Sequence, residues 1–335
     1  MADSRVKGLD GLRALCALFL LWGHTGQPAF SNWSILSIPL PQCCAYVFFV
    51  ISGFLAGYKS DSISLSKTYF KKKAIRLLPL YYLYLSLSII VYIIIGRSNE
   101  VLDSRLWYYI LLVPQIPFCK NDGILPLVHL WFIGSIALFY IVCPFFTRIK
   151  KEKRPSSAAI IAIGCFLLKM LVRIFVGKDI ILYRIIGVTS FDTLFLGVWG
   201  GLLFRENHRL IDSIKNSRFL GFISWGLFLL SGLYLESFPA PIRPEFICFL
   251  ALLVIITLQR SRRNSVLELC IFKFVGSISY EVYVIQILII ILLSYLYQII
   301  EISLPGIVIY VICTFVVILC SWLYNRAIRL IGSPK

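Results

Sequence analysis

Residues 5–28 read RVKGLDGLRALCALFLLWGHTGQP. From Leu12 to Gly26 this stretch is apolar enough to enter a bilayer, yet Arg13 stands at one end of the run and His24 near the other. A charged group at the centre of a membrane helix costs on the order of 2.5–3.5 kcal/mol on insertion scales. Both residues therefore need a reason. Read as a helix, their separation is close to three full turns, which puts them on one face about 16 Å apart along the axis. Arg13 then lies near one membrane surface and His24 lies deep.

Composition extends this reading to the whole chain. Of 335 residues, 59% are hydrophobic and 15% charged, and the mean hydropathy is +0.86. A water-soluble domain cannot bury so large an apolar fraction, and several runs approach or exceed the roughly 20 residues that cross a bilayer. The sequence predicts an all-α, polytopic transmembrane bundle forming a single integral-membrane domain over 1–335. Apolar windows set against charged breaks give ten spans, at 11–27, 36–58, 76–96, 124–147, 157–177, 181–204, 219–236, 244–259, 274–297 and 306–326.

The net charge of +17 would suit a nucleic-acid binder if it covered one surface. Instead the cations cluster between apolar runs, as in loops that face the cytoplasm, so no nucleic-acid partner is expected. With the N-terminus inside, the inside segments collect 25 of the 33 Lys and Arg. The outside segments hold Arg97, Arg105, Lys120, Lys178 and Arg243, while Lys169, Arg173 and Arg184 fall within spans. This bias predicts that both termini are cytoplasmic. The first run has a basic start but no small-residue cleavage site, so it reads as a retained helix. LWYYILLVPQIPF (106–118) is short and broken by Pro114 and Pro117, and reads as a re-entrant or interfacial segment. Most of the ten cysteines, such as Cys16, Cys165, Cys248, Cys313 and Cys320, lie inside apolar runs, where they act as small hydrophobes. No zinc-type Cys/His spacing occurs, and no metal is expected.

The polar residues of the spans carry the chemistry. His24 has two readings: a satisfied interhelical hydrogen-bonding group, or a general base, for which imidazole has a suitable pKa near neutral pH. In KKKAIRLLPLYY (71–82), Lys73 and Arg76 occupy neighbouring helical faces at the membrane surface. They serve topology alone, or with Arg13 they form a phosphate site. Ser52, Gly53 and Gly57 in FFVISGFLAGY (48–58) are spaced for close helix packing. In HLWFIGSIALFYIVCP (129–144), His129 either joins His24 on a water-accessible cavity or sits with Trp131 in an interfacial aromatic belt. Asp192 in TSFDTLFLG (189–197) lies at a depth comparable to Lys169, which predicts a buried ion pair. GSISYEVYVIQ (276–286) places Glu281 and Gln286 in one span, and His208 falls in a loop with no assigned role.

Taken together, GLDGLRALCALFLLWGH, VFFVISGFLAGY, KKKAIRLLPLYY, HLWFIGSIALFY, FDTLFLG and SISYEVYVIQ resemble, in order, landmarks of the integral-membrane acyltransferase family 3. The chain resembles its short form, without a fused periplasmic domain. The resemblance implies a bacterial cytoplasmic (inner) membrane enzyme that O-acetylates a surface polysaccharide or lipid-linked sugar. It implies acetyl-CoA as the acyl donor, a carbohydrate or lipid-linked glycan as acceptor, and contact with membrane lipid. It also implies importance for Arg13 and His24 and for the basic pair Lys73 and Arg76. This chain departs from the family pattern at three points. Lys73 stands where many relatives have Arg. Ile136 and Ala137 occupy a region where many have Glu. Gln286 stands where a His is common. On this reading the CoA phosphates sit near Arg13, Lys73 and Arg76, and the thioester reaches toward His24. His24 acts as general base or as an acyl relay, and His129, Trp131 and Glu281 contact substrate. The rival reading is an exporter of glycan or lipid-linked sugar that performs no acyl transfer.

Overall fold

The computed structural model describes residues 6–27, 40–177, 181–233, 242–259, 266–300 and 304–331, and among these no strand occurs. In chain order the helices are α1 (Leu9–Thr25), α2 (Leu40–Tyr58), α3 (Lys67–Ile94), α4 (Leu106–Ile110), α5 (Gln115–Cys119), α6 (Trp131–Phe146), α7 (Arg154–Phe175) and α8 (Ile181–Thr189). They continue with α9 (Phe191–Arg205), α10 (Arg209–Asn216), α11 (Arg218–Leu233), α12 (Arg243–Leu258), α13 (Cys270–Ser277), α14 (Ser279–Ile300) and α15 (Gly306–Ile331). The chain divides into two compact units, one formed by Met1–Cys44 with Ser261–Lys335 and the other by Ala45–Arg260.

Local chemistry explains several boundaries. Gly8 adopts a left-handed φ of 72° just before α1, a conformation glycine takes without steric cost. Ser66 caps α3 by accepting from the Tyr69 amide at 3.2 Å, so the helix starts at Lys67 and the whole basic motif is helical. His208 caps α10, its Nδ1 accepting from the Leu210 amide at 3.3 Å. Two predicted spans are broken. The 274–297 run divides at Ile278 into α13 and α14, and the 181–204 run divides at Ser190, whose φ is 52°. The 106–118 segment forms two short helices, neither long enough to span. Residues 36–39 and 234–236 of the predicted spans, and the basic residues Arg5, Lys178, Arg260, Arg262, Arg263 and Lys335, lie outside the described residues.

The surface is apolar and the interior holds polar groups. Ile160, Leu167, Leu171 and Ile174 of α7 are exposed, as are Leu83, Leu87 and Ile90 of α3 and Val311 and Phe315 of α15. Lys169, Asp192, Ser88, Ser135 and Gln286 are buried. In water such a surface would be an adhesive patch; against lipid tails it is the solvated face. Among the described residues, six helical segments, some of them interrupted, are long and apolar enough to cross a membrane, within 67–94, 125–146, 151–175, 181–205, 279–300 and 306–328. The protein is an all-α polytopic membrane bundle.

The small residues of α2 act through packing. A Cβ on Gly53 or Gly57 would overlap the Leu194 or Val198 carbonyl of α9. Gly197 and Gly201 of α9 face the Val50 and Phe54 carbonyls of α2 in return. These reciprocal backbone contacts bring the two helices together as small residues do in lipid.

Candidate active site

In the first unit, backbone contact seats α1. A Cβ on Gly276 of α13 would overlap the Asp10 carbonyl, and one on Gly11 would overlap Leu267 in the 3₁₀ turn Val266–Glu268. The Gly8 amide donates to Glu268, and Lys273 holds the same carboxylate at 2.7 Å. Thus anchored, α1 carries Arg13 one turn along, where Asp10 lies 3.5 Å from its guanidinium. Both side chains remain partly exposed. The helix is unbroken from Leu9 to Thr25, so Arg13 and His24 do share a face.

His24 is half-buried near the end of α1. From α15, the Tyr310 ring meets Trp22 edge-on at 4.7 Å, and the Tyr310 hydroxyl donates to the Leu18 carbonyl at 3.1 Å. From α14 comes Gln286, fully buried, whose side chain lies beside His24. The Gln286 Nε2 also donates to the Tyr283 carbonyl at 3.2 Å. Glu281 lies in the first turn of α14 and accepts from Asn325 Nδ2 of α15 at 2.7 Å. A carboxylate there also complements the positive end of the helix dipole.

The other expected site residues belong to the second unit. Lys73 points into it: its ammonium lies 4.0 Å from the Tyr140 ring centre on α6 and 5.6 Å from that of Tyr69. Arg76, three residues on, is exposed. The basic pair is therefore divided between an aromatic seat and the surface. His129 is buried in the 3₁₀ turn Leu125–Leu130 that leads into α6. Its ring meets Tyr84 of α3 edge-on at 5.2 Å, and the Tyr84 hydroxyl donates to the Pro126 carbonyl at 2.5 Å. Trp131 stacks on Phe118 of α5 at 5.0 Å, with 21° between the planes. The short α4–α5 segment thus supports the start of α6. It also brings Gln115, a buried amide unremarked in the sequence, against Gly134, where a Cβ would overlap the amide group.

The expected ion pair forms, and it has a third member. Lys169 of α7 contacts Asp192 of α9 at 3.0 Å and also Glu245 of α12. A second cluster surrounds Asp61, in the turn after α2. Arg154, Lys151 and Arg205 approach its carboxylate at 3.0, 3.2 and 3.3 Å. Burial pushes this carboxyl up, but the hydrogen bond from Lys151, the Arg205 and Lys151 charges and the Arg154 hydrogen bond outweigh it and hold Asp61 below its ordinary value. Among the described residues, no group of three His, Cys, Asp or Glu side chains is arranged to hold a metal ion.

Gln286, Gln115, Glu245 and Asp61 were not singled out from the sequence as site residues. A polar residue within or beside an apolar run was the available signal for each; the partner was not readable. A family model described as an acyltransferase domain matches residues 6–326. No curated protein and no solved structure matches the chain.

Proposed function

The chain belongs to the integral-membrane acyltransferase family 3, and on that premise we propose that it moves an acetyl group from acetyl-CoA to a hydroxyl of a surface polysaccharide or lipid-linked sugar in a bacterial inner membrane. The observation that carries this reading is α1, an unbroken helix within the matched residues that aligns a guanidinium and an imidazole on one face. Their spacing of about 16 Å is comparable to the length of a pantetheine arm. In this reading Arg13 attracts CoA phosphates, and Lys73 and Arg76 supply further positive charge for them. The acceptor oxygen attacks the thioester carbonyl carbon while His24 takes its proton. The C–S bond then breaks, and the thiolate leaves with the proton returned by the imidazolium. In a relay version the His24 nitrogen attacks the thioester carbonyl, the C–S bond breaks and CoA leaves as the thiolate; the acceptor oxygen then takes the acetyl group from the imidazole, and its proton passes to the thiolate. His129, Trp131 and Glu281 are proposed acceptor contacts. The same reading keeps ten spans with both termini cytoplasmic, supported by the clustering of Lys and Arg.

The test uses purified protein in lipid nanodiscs with labelled acetyl-CoA and candidate lipid-linked sugars. Label should move to the sugar, and no donor consumption with any acceptor overturns the reading. His24→Ala should abolish transfer with the protein still folded. His24→Asn retains hydrogen bonding without basicity. A base contributes about 10²–10⁴-fold in rate, so Asn should be nearly as inactive as Ala. An active Asn variant would move the base elsewhere.

A further inference from the structure

We propose that Gln286 is the positioning residue for His24: its Oε1 accepts a hydrogen bond from His24 Nδ1–H and so leaves Nε2 as the basic nitrogen. The inference rests on the reading of His24 as the base. Gln286 is 0% exposed. It sits between Ile285 and Ile287 in an otherwise apolar part of α14. Its orientation is set by Nε2, which donates to the Tyr283 carbonyl. That leaves Oε1, a buried acceptor that takes no hydrogen bond of normal geometry from any described group. His24 Nδ1 is likewise a buried atom, and the Gln286 side chain lies beside the imidazole.

The consequence follows from the chemistry of the two groups. An amide oxygen only accepts, so the ring nitrogen facing it carries the proton. A neutral imidazole has one N–H, so the other nitrogen keeps its lone pair. An amide does not titrate, so Gln286 holds this tautomer across the working pH range. Against this end of α1, α15 brings Tyr310 to Trp22 and Cys313 to Thr25, and α14 brings Tyr283 one turn before Gln286; none of these is a carboxylate or a basic side chain. Glu281 lies about one and a half turns earlier on α14 and is engaged by Asn325. On α13, Lys273 is paired with Glu268. A carboxylate at position 286 would therefore act directly on His24.

The chain has three histidines, so a ¹⁵N-histidine NMR spectrum can be assigned by single substitutions. Wild type should show His24 protonated at Nδ1, and Gln286→Leu should give a tautomer mixture. The same variant should lose about 10–100-fold in kcat, the range for losing a partner that orients a histidine, with KM little changed. Gln286→Met serves if the Leu variant does not fold. Gln286→Glu should stay active but move the acid limb of kcat/KM up by about one unit or more, because an adjacent carboxylate stabilises the imidazolium. An unchanged tautomer and full kcat in Gln286→Leu, or an unmoved acid limb in Gln286→Glu, overturns the proposal. The two readings fail separately. An active His24→Ala removes the base, while the NMR result still decides the role of Gln286. An inactive His24→Ala with an indifferent Gln286 removes only the positioning role.

Discussion

Replacing Lys169 by Met tests the buried charge cluster of the second unit. The ammonium lies 3.0 Å from Asp192 and also contacts Glu245, and the three side chains are 4%, 4% and 18% exposed. One cation thus serves two carboxylates. Removing the cation leaves two like charges together in a membrane interior. Breaking a buried pair by deleting one partner costs about 3–5 kcal/mol, and Lys169→Met should reach or exceed that. Asp192→Asn is different, because Lys169 and Glu245 remain as a one-to-one pair. Its cost should be about 1–3 kcal/mol, the range for a buried group that loses one partner. Asp192→Asn with Glu245→Gln strands the ammonium and should return to about 3–5 kcal/mol. The triple variant, with all three charges gone, should recover most of the stability, since a buried ion cluster is often no better than a neutral replacement. The assay is reversible unfolding in mixed micelles, with monodispersity checked for each variant. If Lys169→Met is no worse than Asp192→Asn, or the triple variant is as unstable as Lys169→Met, the electrostatic account is wrong.

Gly53→Ala places a Cβ against the Leu194 carbonyl and should cost about 1–3 kcal/mol by overpacking. Gly164→Ala meets nothing within 4 Å on α7 and should stabilise by about 0.4–1 kcal/mol; equal unfolding midpoints for the two would refute the packing argument. Asp61 is held below its ordinary value in the folded protein, so its contribution is present above the unfolded pKa and is lost as pH falls through the lowered folded value. Below about pH 4 the melting temperature of wild type should therefore fall more steeply than that of Asp61→Asn, and parallel profiles would remove Asp61 from the acid response. Arg76→Ala should weaken acetyl-CoA binding, most at low salt, where attraction to an exposed charge is least screened. Arg76→Lys should recover only part, because the planar fork is lost; unchanged donor affinity in Arg76→Ala would leave Arg76 a topological role alone.

The membrane class and the close packing at Gly53 and Gly57 were readable because each depends on a property of the local sequence. Apolar run length reports span candidates, and small residues one turn apart report a helix surface that admits another backbone. Helix breaks were less visible. Ser190 and Ile278 are themselves neither glycine nor proline, and the few small and polar residues around them, Gly187, Thr189, Gly276, Ser277 and Ser279 among them, sit within long hydrophobic segments. Continuous hydropathy therefore joined α8 to α9 and α13 to α14. The start of α3 was placed late for a different reason. The basic residues 71–73 lowered the hydropathy of a segment that Ser66 nonetheless caps into helix.

Partners needed three dimensions. Lys169 and Asp192 sit on successive hydrophobic segments at similar depth, so their pairing followed from antiparallel neighbours. Glu245 arrives on α12, far along the chain, and its rotation toward Lys169 is set by packing within the second unit. The same limit divides Lys73 from Arg76. A three-residue step turns a helix by about 300°, so the two side chains point some 60° apart. That is enough for Tyr140 to take one while the other stays at the surface. Gln286 makes the point for chemistry. As sequence it is a departure, an amide where the family often has histidine. In the fold, the contacts of Gly11 with Leu267 and of Gly276 with Asp10 seat α1 against its own unit, and α14 then turns the amide toward His24. A residue that cannot carry a proton still determines which nitrogen of its neighbour does. On the proposal made above, the amide at position 286 takes no proton itself and acts only through His24.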